Sequence, residues 1–194
     1  MNIKRWTYRK TLSQQQQAQA KDLAQAINVN PFLGQLLVQR GITNFEEAKA
    51  FFRPSLEQLH DPFLMKDMDK AVGRLLQAFE NKEKIIIYGD YDVDGATSVS
   101  VFYGFLKKYY PHIEYYIPDR YIEGYGVSSQ GIDYAEANGF TLIVTLDCGI
   151  KSADKVAEAK RRGIDFIICD HHRPDSNLPP AVAVLDPKRE DCPY

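Results

Sequence analysis

The feature that most constrains the fold is a regular alternation of helical patterns and short apolar strands after about residue 66. Helices are predicted at residues 68–81, 96–109, 129–138 and 152–162, and strands at 84–88, 113–117, 141–146, 166–169 and 182–185. Strands separated by helices of this length indicate a mostly parallel sheet flanked by helices on both faces. The sequence therefore predicts the α/β fold class.

Residues 1–60 have a different pattern, without predicted strands. Leu23, Ala26 and Ile27 have helical spacing, and Pro31 is placed to begin a second helix. The run Thr43-Asn44-Phe45-Glu46 resembles a capping box before a short third helix. We therefore expect two parts: a small helical N-terminal segment at 1–60 and an α/β domain at 61–194.

Composition is that of an ordinary globular protein of 194 residues with a formal net charge of −2. This balance argues against a chain that binds polyanions non-specifically over its whole surface. No apolar stretch approaches the roughly 20 residues of a membrane span, so no membrane association is expected. The three cysteines lack the spacing of a disulfide framework or zinc knuckle, which favours a cytoplasmic location.

Positive charge is concentrated locally. The first ten residues contain four cations together with Trp6 and Tyr8, and residues 151–173 contain six more cations. Basic and aromatic side chains together can hold single-stranded nucleic acid. Solvated faces and a loose N-terminus explain the same residues equally well, so both interpretations stay open.

Three carboxylates, Asp90, Asp92 and Asp94, occupy alternate positions directly after the apolar run at 85–87. Like charges this close cannot all remain ionised without compensation. The pattern therefore predicts a divalent cation held by oxygen ligands.

Two later strands also end in potential ligands. Asp147 follows the strand at 141–146, and Asp170-His171-His172 follows the strand at 166–169. The carboxyl ends of parallel strands lie along one edge of a sheet, so these side chains are expected to converge. Carboxylates favour Mg²⁺ or Mn²⁺, and imidazole shifts the preference toward Mn²⁺. The set suits a two-metal centre.

Other interpretations of these residues involve no catalytic site. An EF-hand calcium loop also begins Asp-x-Asp-x-Asp-Gly, but it requires a Glu at its twelfth position, which is Val101 here, and a preceding helix. Asp147 alone is explained as a helix cap, and Asp170 alone as a turn residue.

A further polar segment follows the strand at 113–117. Arg120 and the hydroxyls of Ser128 and Ser129 are expected near the same sheet edge, where they can bind a substrate phosphate. The alternative is a structural salt bridge from Arg120 to Asp119 or Glu123.

Taken together, Tyr-Gly-Asp-Tyr-Asp-Val-Asp-Gly at 88–95, Asp-Cys-Gly at 147–149 and Asp-His-His at 170–172 resemble three motifs of the DHH phosphoesterase superfamily. A longer frame, which includes segments 36–42, 61–63, 118–126 and 186–189, resembles the RecJ-type exonucleases. That resemblance covers nearly the whole chain. It implies 5′→3′ hydrolysis of single-stranded DNA in repair and recombination.

The resemblance also implies roles for individual residues. Asp147 bridges two ions, either Mn²⁺ or Mg²⁺, His172 contacts the scissile phosphate, and Arg120 clamps a phosphate. The implied metal ligands are Asp90, Asp92, Asp94, Asp147 and His171. The implied catalytic residues are Asp92, Asp94, Asp147, His171 and His172. Single-stranded DNA, a single-strand-binding protein and a helicase are the implied partners.

Related functions remain open. They include an oligonucleotide or cyclic-dinucleotide phosphodiesterase, a manganese pyrophosphatase and a non-catalytic nucleic-acid-binding module. The N-terminal segment and Tyr88, where the pyrophosphatases have histidine, argue against the pyrophosphatase. RecJ-type enzymes carry a fourth acidic motif and further C-terminal domains, so we interpret this chain as truncated before them. We therefore expect that this chain alone can lack activity.

Overall fold

The computed structural model describes residues 11–194, and the basic, aromatic segment at 1–10 lies outside them. The chain divides into two compact units, one ending at Leu59 and the other running from His60 to Tyr194. Within the described residues, none of the helices combines the length and the apolar character needed to cross a membrane.

The first unit contains three α-helices among its described residues, α1 (Gln14–Ala26), α2 (Pro31–Gln39) and α3 (Phe45–Phe52), followed by a short 3-10 helix at Leu56–Gln58. Each α-helix is preceded by an N-cap residue whose side chain accepts a backbone N–H of the first turn, namely Ser13, Asn30 and Asn44. Their buried faces meet in a small core of Ala20, Leu23, Leu37, Val38 and Ala48.

The second unit alternates helices and strands, as the sequence predicts. After a short 3-10 helix at Pro62–Leu64, its α-helices are α4 (Met68–Glu80), α5 (Val93–Leu106), α6 (Ser129–Ala137) and α7 (Ala153–Arg161). Its strands are β1 (Lys84–Gly89), β2 (Ile113–Tyr116), β3 (Phe140–Leu146), β4 (Asp165–Cys169) and β5 (Ala183–Leu185). Apart from α5, every predicted bound in this unit lies within one residue of the observed one.

The five strands form one parallel sheet in the order β2-β1-β3-β4-β5. Successive residues of β1 enter opposite cores: Ile86 packs with residues of α6 and α7, whereas Ile85 and Ile87 pack with residues of α4 and α5. Helices therefore cover both faces of the sheet. The predicted α/β class with a parallel sheet is confirmed.

The start of α5 differs from the prediction. The helix begins at Val93, three residues before the predicted start at residue 96. The reason is Asp92, whose Oδ1 accepts the N–H groups of Asp94 and Gly95, both at 3.0 Å, and so caps the helix. Gly95 therefore lies in the first helical turn rather than in a turn before the helix.

Strand order places a crevice between β1 and β3. From β1 the chain crosses to β2 on one side, and from β3 it crosses to β4 on the other. Open α/β sheets bind ligands at the carboxyl ends of strands where the order reverses in this way. The residues that follow β1 and β3 are Asp90 to Asp92 and Asp147.

Candidate metal centre

Four aspartates stand in register along the carboxyl edge of the sheet, one after each of four neighbouring strands. The register pairs Gly89 with Leu146, Leu146 with Cys169, and Cys169 with Leu185. The next residue in each strand is an aspartate, and we call this set the aspartate row: Asp90, Asp147, Asp170 and Asp186. All four are buried. Neighbouring strands are only about 4.8 Å apart, so the row concentrates negative charge at one edge.

Asp147 and the two histidines after β4 converge on one point. The Nε2 of His171 lies 2.9 Å from Oδ1 of Asp147. One potential ligand atom from each of Asp147, His171 and His172 lies within 4.8 Å of the other two. Asp147 also has a φ of +61°, a left-handed backbone conformation that is uncommon outside glycine, that Asp and Asn adopt more readily than other residues, and that recurs at functional sites.

Asp92 adds a second carboxylate beside Asp147. Burial raises the pKa of Asp147, and the neighbouring negative charge of Asp92 raises it further, while His171 opposes the increase. The pKa of Asp92 is lowered, chiefly by the backbone N–H of Gly95. Two carboxylates this close disfavour double ionisation unless a cation lies with them.

Asp90 is the most deeply buried ligand candidate. Its side chain is fully buried, and neither carboxylate oxygen has a hydrogen-bond partner among residues 11–194. Burial is the main reason that its pKa is raised. Buried carboxylates are normally hydrogen-bonded, paired or coordinated to metal, so this side chain needs a cation, a water or a proton.

Asp170 orients the second histidine of the site. Its carboxylate accepts four N–H groups, from the backbone of Ile150, His171 and His172 and from Nδ1 of His172 at 2.7 Å. Burial alone would raise the pKa of Asp170, but these donors lower it on balance. Because an ionised carboxylate only accepts, Nδ1 of His172 carries the proton. The Nε2 of His172 then faces the hydroxyl of Tyr125, 3.3 Å away.

The oxygen and nitrogen ligand atoms of this site fit a divalent cation. Bonds to Mg²⁺ are about 2.0–2.1 Å long, so two ligand atoms on one such ion are at most about 4.2 Å apart. His171 Nε2 and Asp147 Oδ1, 2.9 Å apart, meet this limit. The set that includes His172 spans up to 4.8 Å, so it must draw closer to share one ion. The mixture of carboxylate and imidazole favours Mn²⁺ over Ca²⁺. Asp147 and His171 are the best-placed pair, and Asp92 lies beside them.

Three predicted site residues have other surroundings. Asp94 lies exposed in the first turn of α5 and is not part of the cluster of Asp147 and the histidines. Ser128 is buried and caps α6 by accepting the N–H of Gly131 at 2.8 Å. Ser129 contacts Lys155 through its hydroxyl. The structure thus gives both serines structural partners rather than a free face for a phosphate.

Arg120 is exposed, and it makes no ion pair with Asp119 or Glu123 among the described residues. The alternative of a structural salt bridge is therefore wrong. Its guanidinium lies instead over the ring of Tyr91, 5.2 Å from the centroid. Tyr91 in turn packs edge-on against Tyr125, with 6.2 Å between ring centroids.

Two of the six cations in the basic segment at 151–173 form ion pairs with described residues. Lys151 pairs with Asp175, and Arg162 pairs with Asp133, Glu136 and Glu158. These ion pairs support a structural role for Lys151 and Arg162, and the nucleic-acid-binding interpretation of the rest of the segment stays a prediction. The corresponding prediction for residues 1–10 lies outside the described part of the chain.

Sequence reasoning did not single out three residues of this edge: Tyr125, Asp170 as a partner of His172, and Asp186. The signal for the aspartates was available, because each is the first residue after a predicted strand. Tyr125 had no such signal. It reaches His172 because Tyr88, at the end of β1, donates its hydroxyl to the carbonyl of Gly126 at 3.0 Å and holds that loop.

Comparisons with known proteins agree with this geometry. The chain is 42% identical over 178 residues to the single-stranded-DNA-specific exonuclease RecJ of Bacillus subtilis, covering 92% of this chain and 23% of that protein. It is 38% identical over 165 residues to the exonuclease of the same name from Salmonella typhimurium, covering 84% of this chain and 28% of that one. The chain thus spans about a quarter of the length of these relatives.

Among solved structures, a crystal structure of exonuclease RecJ bound to manganese matches with a TM-score of 0.61 and 28% identity. It covers 69% of this chain and 34% of that chain. Residues 84–193, more than half of this chain, match the DHH family, N-terminal domain. The resemblance drawn from the three acidic motifs is confirmed, and the chain belongs to the DHH family.

Proposed function

We propose that this chain carries the metal centre of an exonuclease that hydrolyses phosphodiester bonds in single-stranded DNA from the 5′ end. The observation that carries the proposal is the convergence of Asp147, His171 and His172 within 4.8 Å at the switch point of the sheet. The similar proteins named as single-stranded-DNA-specific exonucleases, and the manganese in one solved relative, support the substrate and the ion.

The proposed ligands are those that the geometry and the resemblance share. Asp147 and His171 would hold Mn²⁺ or Mg²⁺ together with Asp92, and Asp90 would lie beneath them. Asp94 keeps the role that the resemblance implies only if its exposed side chain turns toward the site. When bound, such a cation supplies Lewis acidity, which makes a water acidic enough to attack phosphorus near neutral pH.

His172 would act on the substrate rather than on the cation. Its hydrogen bond to Asp170 raises the pKa of its imidazole, so a larger fraction is protonated at neutral pH. A protonated imidazole beside the ligand cluster can donate to a phosphate oxygen and stabilise charge that develops there. Asp170 fixes the ring for this purpose, since its four N–H contacts leave the carboxylate little freedom.

The surface beside the cluster suits a single strand. The guanidinium of Arg120 lies over Tyr91, Tyr91 packs against Tyr125, and Tyr125 packs against His172. Tyr121 follows Arg120 in the chain and is exposed. Aromatic rings stack on unpaired bases, and a guanidinium pairs with phosphate. In duplex DNA the base faces are already stacked on one another, so this arrangement favours a single-stranded substrate.

The test is hydrolysis of a 5′-phosphorylated single-stranded oligonucleotide labelled at its 3′ end, with MnCl₂ or MgCl₂. We expect progressive shortening from the 5′ end by the full-length protein that contains this chain and none by its His171→Ala variant. Duplex DNA, a dinucleotide and pyrophosphate serve as competing substrates. Cleavage of the dinucleotide alone would favour the oligonucleotide phosphodiesterase, and metal-dependent binding without cleavage would favour a non-catalytic module.

Partners and location are further proposals about the whole protein. A single-strand-binding protein and a helicase would supply and expose the substrate, and a cytoplasmic site of action agrees with the cysteine usage. Pull-down of a tagged single-strand-binding protein by the chain would test the first partner directly.

A further inference from the structure

Asp186 is the fourth member of the aspartate row and has no role in the proposed reaction. It follows β5 and lies across from Asp170 in the strand register. The backbone link between these positions is the hydrogen bond from the N–H of Asp170 to the carbonyl of Leu185, at 3.0 Å. Asp186 therefore flanks the segment that carries both histidines.

The carboxylate of Asp186 is only half satisfied. Oδ1 accepts the N–H of Lys188 at 2.7 Å, which closes a local turn. Oδ2 has no partner among residues 11–194, although the side chain is fully buried. A local turn needs only one of the two oxygens, so it does not account for a buried carboxylate with the second oxygen free.

The two histidines also differ in whether their Nδ1 atom has a hydrogen-bond partner. His172 has its Nδ1 on Asp170. His171 directs Nε2 at Asp147, and its Nδ1 has no hydrogen bond within the described part of the chain. Histidines that bind metal almost always donate their second ring N–H to a carboxylate, a carbonyl or a water, which fixes the tautomer and the ring orientation.

We propose that Asp186 is a positioning residue of the metal centre, whose free Oδ2 accepts the Nδ1–H of His171 when a cation is bound. Asp170 and Asp186 would then orient one histidine each. This inference rests on the proposed metal centre, and it makes the fourth strand-end aspartate part of the site. Its contribution is to keep Nε2 of His171 free of a proton and directed at the ion.

Calorimetric titration of the chain with MnCl₂ tests the proposal. We expect Asp186→Asn to lower the affinity about 10–100-fold, the usual cost of losing such an outer partner. The amide can still accept the Lys188 N–H, so the local turn persists. Asp175→Asn is the matched control, because Asp175 is an exposed carboxylate on the β4–β5 connection that carries the histidines and pairs only with Lys151 among the described residues; the affinity of this variant should equal the parent's.

A second measurement separates hydrogen bonding from a simple loss of charge. Nitrogen-15 spectra of the histidine rings in the Mg²⁺-loaded chain should show a slowly exchanging Nδ1–H for His171 in the parent and not in Asp186→Asn. Parent-like Mn²⁺ affinity in the variant, or a His171 Nδ1–H that is unprotected in the parent, would overturn the proposal. If the parent binds no Mn²⁺, the metal centre itself is refuted, which is a distinguishable result.

Discussion

The Nε2 of His171 lies 2.9 Å from Oδ1 of Asp147, although these residues follow different strands. We predict that Asp147→Asn lowers Mn²⁺ affinity by at least about 100-fold, because it removes a negatively charged ligand. The metal-free chain should not lose stability. Burial and Asp92 raise the pKa of Asp147, so its ionised form opposes folding as pH rises through that pKa. Asparagine removes this cost and tolerates the positive φ.

Titration calorimetry and thermal unfolding in EDTA at pH 7.5 or so, compared with His171→Ala, would check both halves of this prediction. Loss of Mn²⁺ binding with an unchanged or raised midpoint is the expected pattern. A variant that binds Mn²⁺ like the parent would remove Asp147 from the ligand set.

Gly95 provides a test of how the backbone builds the site. A Cβ on Gly95 would lie 2.4 Å from the carbonyl oxygen and 2.6 Å from the nitrogen of Asp90, so α5 and the end of β1 would have to separate. We predict that Gly95→Ala destabilises the chain by about 2 kcal/mol or more, since overpacking of this kind typically costs about 1–3 kcal/mol. It should also weaken Mn²⁺ binding.

The matched control is Gly104→Ala in the same helix. Nothing lies within 4 Å of a Cβ at that position, so alanine should stabilise α5 by about 0.5–1 kcal/mol through its higher helix propensity. Chemical denaturation would give both values. Equal effects of the two substitutions would contradict the proposed role of close backbone approach.

The fold and the location of the site followed from short-range patterns in the sequence. Apolar runs such as residues 85–87 are long enough to be strands, and parallel strands bring their carboxyl ends together whatever lies between them. That is why Asp147 and His171 could be predicted to meet. The sequence pattern predicts the start of α5 three residues too late, because a metal-binding role for Asp92 does not reveal that its side chain also caps the helix.

The contacts that individual side chains make were less predictable than the positions of the residues along the sheet edge. The roles expected for Ser128 and Ser129 depended on which way their hydroxyls point, and a helix cap and a lysine contact take them instead. Tyr125 meets His172 only through the loop that Tyr88 anchors, a contact between distant positions. Such contacts follow from packing of the whole unit, and local patterns do not encode them.

Exposed tyrosines beside the cluster predict the binding of unpaired bases. Tyr121 is 94% exposed and directly follows Arg120, whose guanidinium lies over the ring of Tyr91. We predict that Tyr121→Ala weakens binding of a single-stranded oligonucleotide in EDTA by about fivefold or more, since stacking on one base is worth about 1–3 kcal/mol. Tyr109→Ala, which removes another highly exposed tyrosine three residues beyond the C-terminal end of α5, should have no effect.

Fluorescence anisotropy with a normal and an abasic oligonucleotide would distinguish stacking from phosphate contact. The effect of Tyr121→Ala should disappear with the abasic strand, whereas Arg120→Ala should weaken both. An equal loss for the two strands would show that Tyr121 contributes no base contact.

An ion-pair network at the opposite edge of the sheet predicts acid sensitivity that is independent of the metal centre. Arg74 donates to Glu83 at 2.7 Å and to Asp165 at 2.7 Å, and Thr141 also donates to Glu83. Burial alone would raise the pKa of Glu83, but these donors lower it on balance. A lowered pKa contributes stability above the unfolded value, about 4.3, that is lost as pH falls through the folded value.

We therefore predict that Glu83→Gln lowers the free energy of unfolding at pH 7 by about 1–3 kcal/mol, the usual worth of hydrogen bonds to a charged group. The difference from the parent should shrink as the pH falls below about 4, where Glu83 itself becomes protonated. Urea unfolding in EDTA across this range measures it, with Glu80→Gln, an exposed residue of α4, as the control. If the difference in unfolding free energy between Glu83→Gln and the parent stays constant with pH, the packing of the Glu83 side chain, rather than its charge, supports the network.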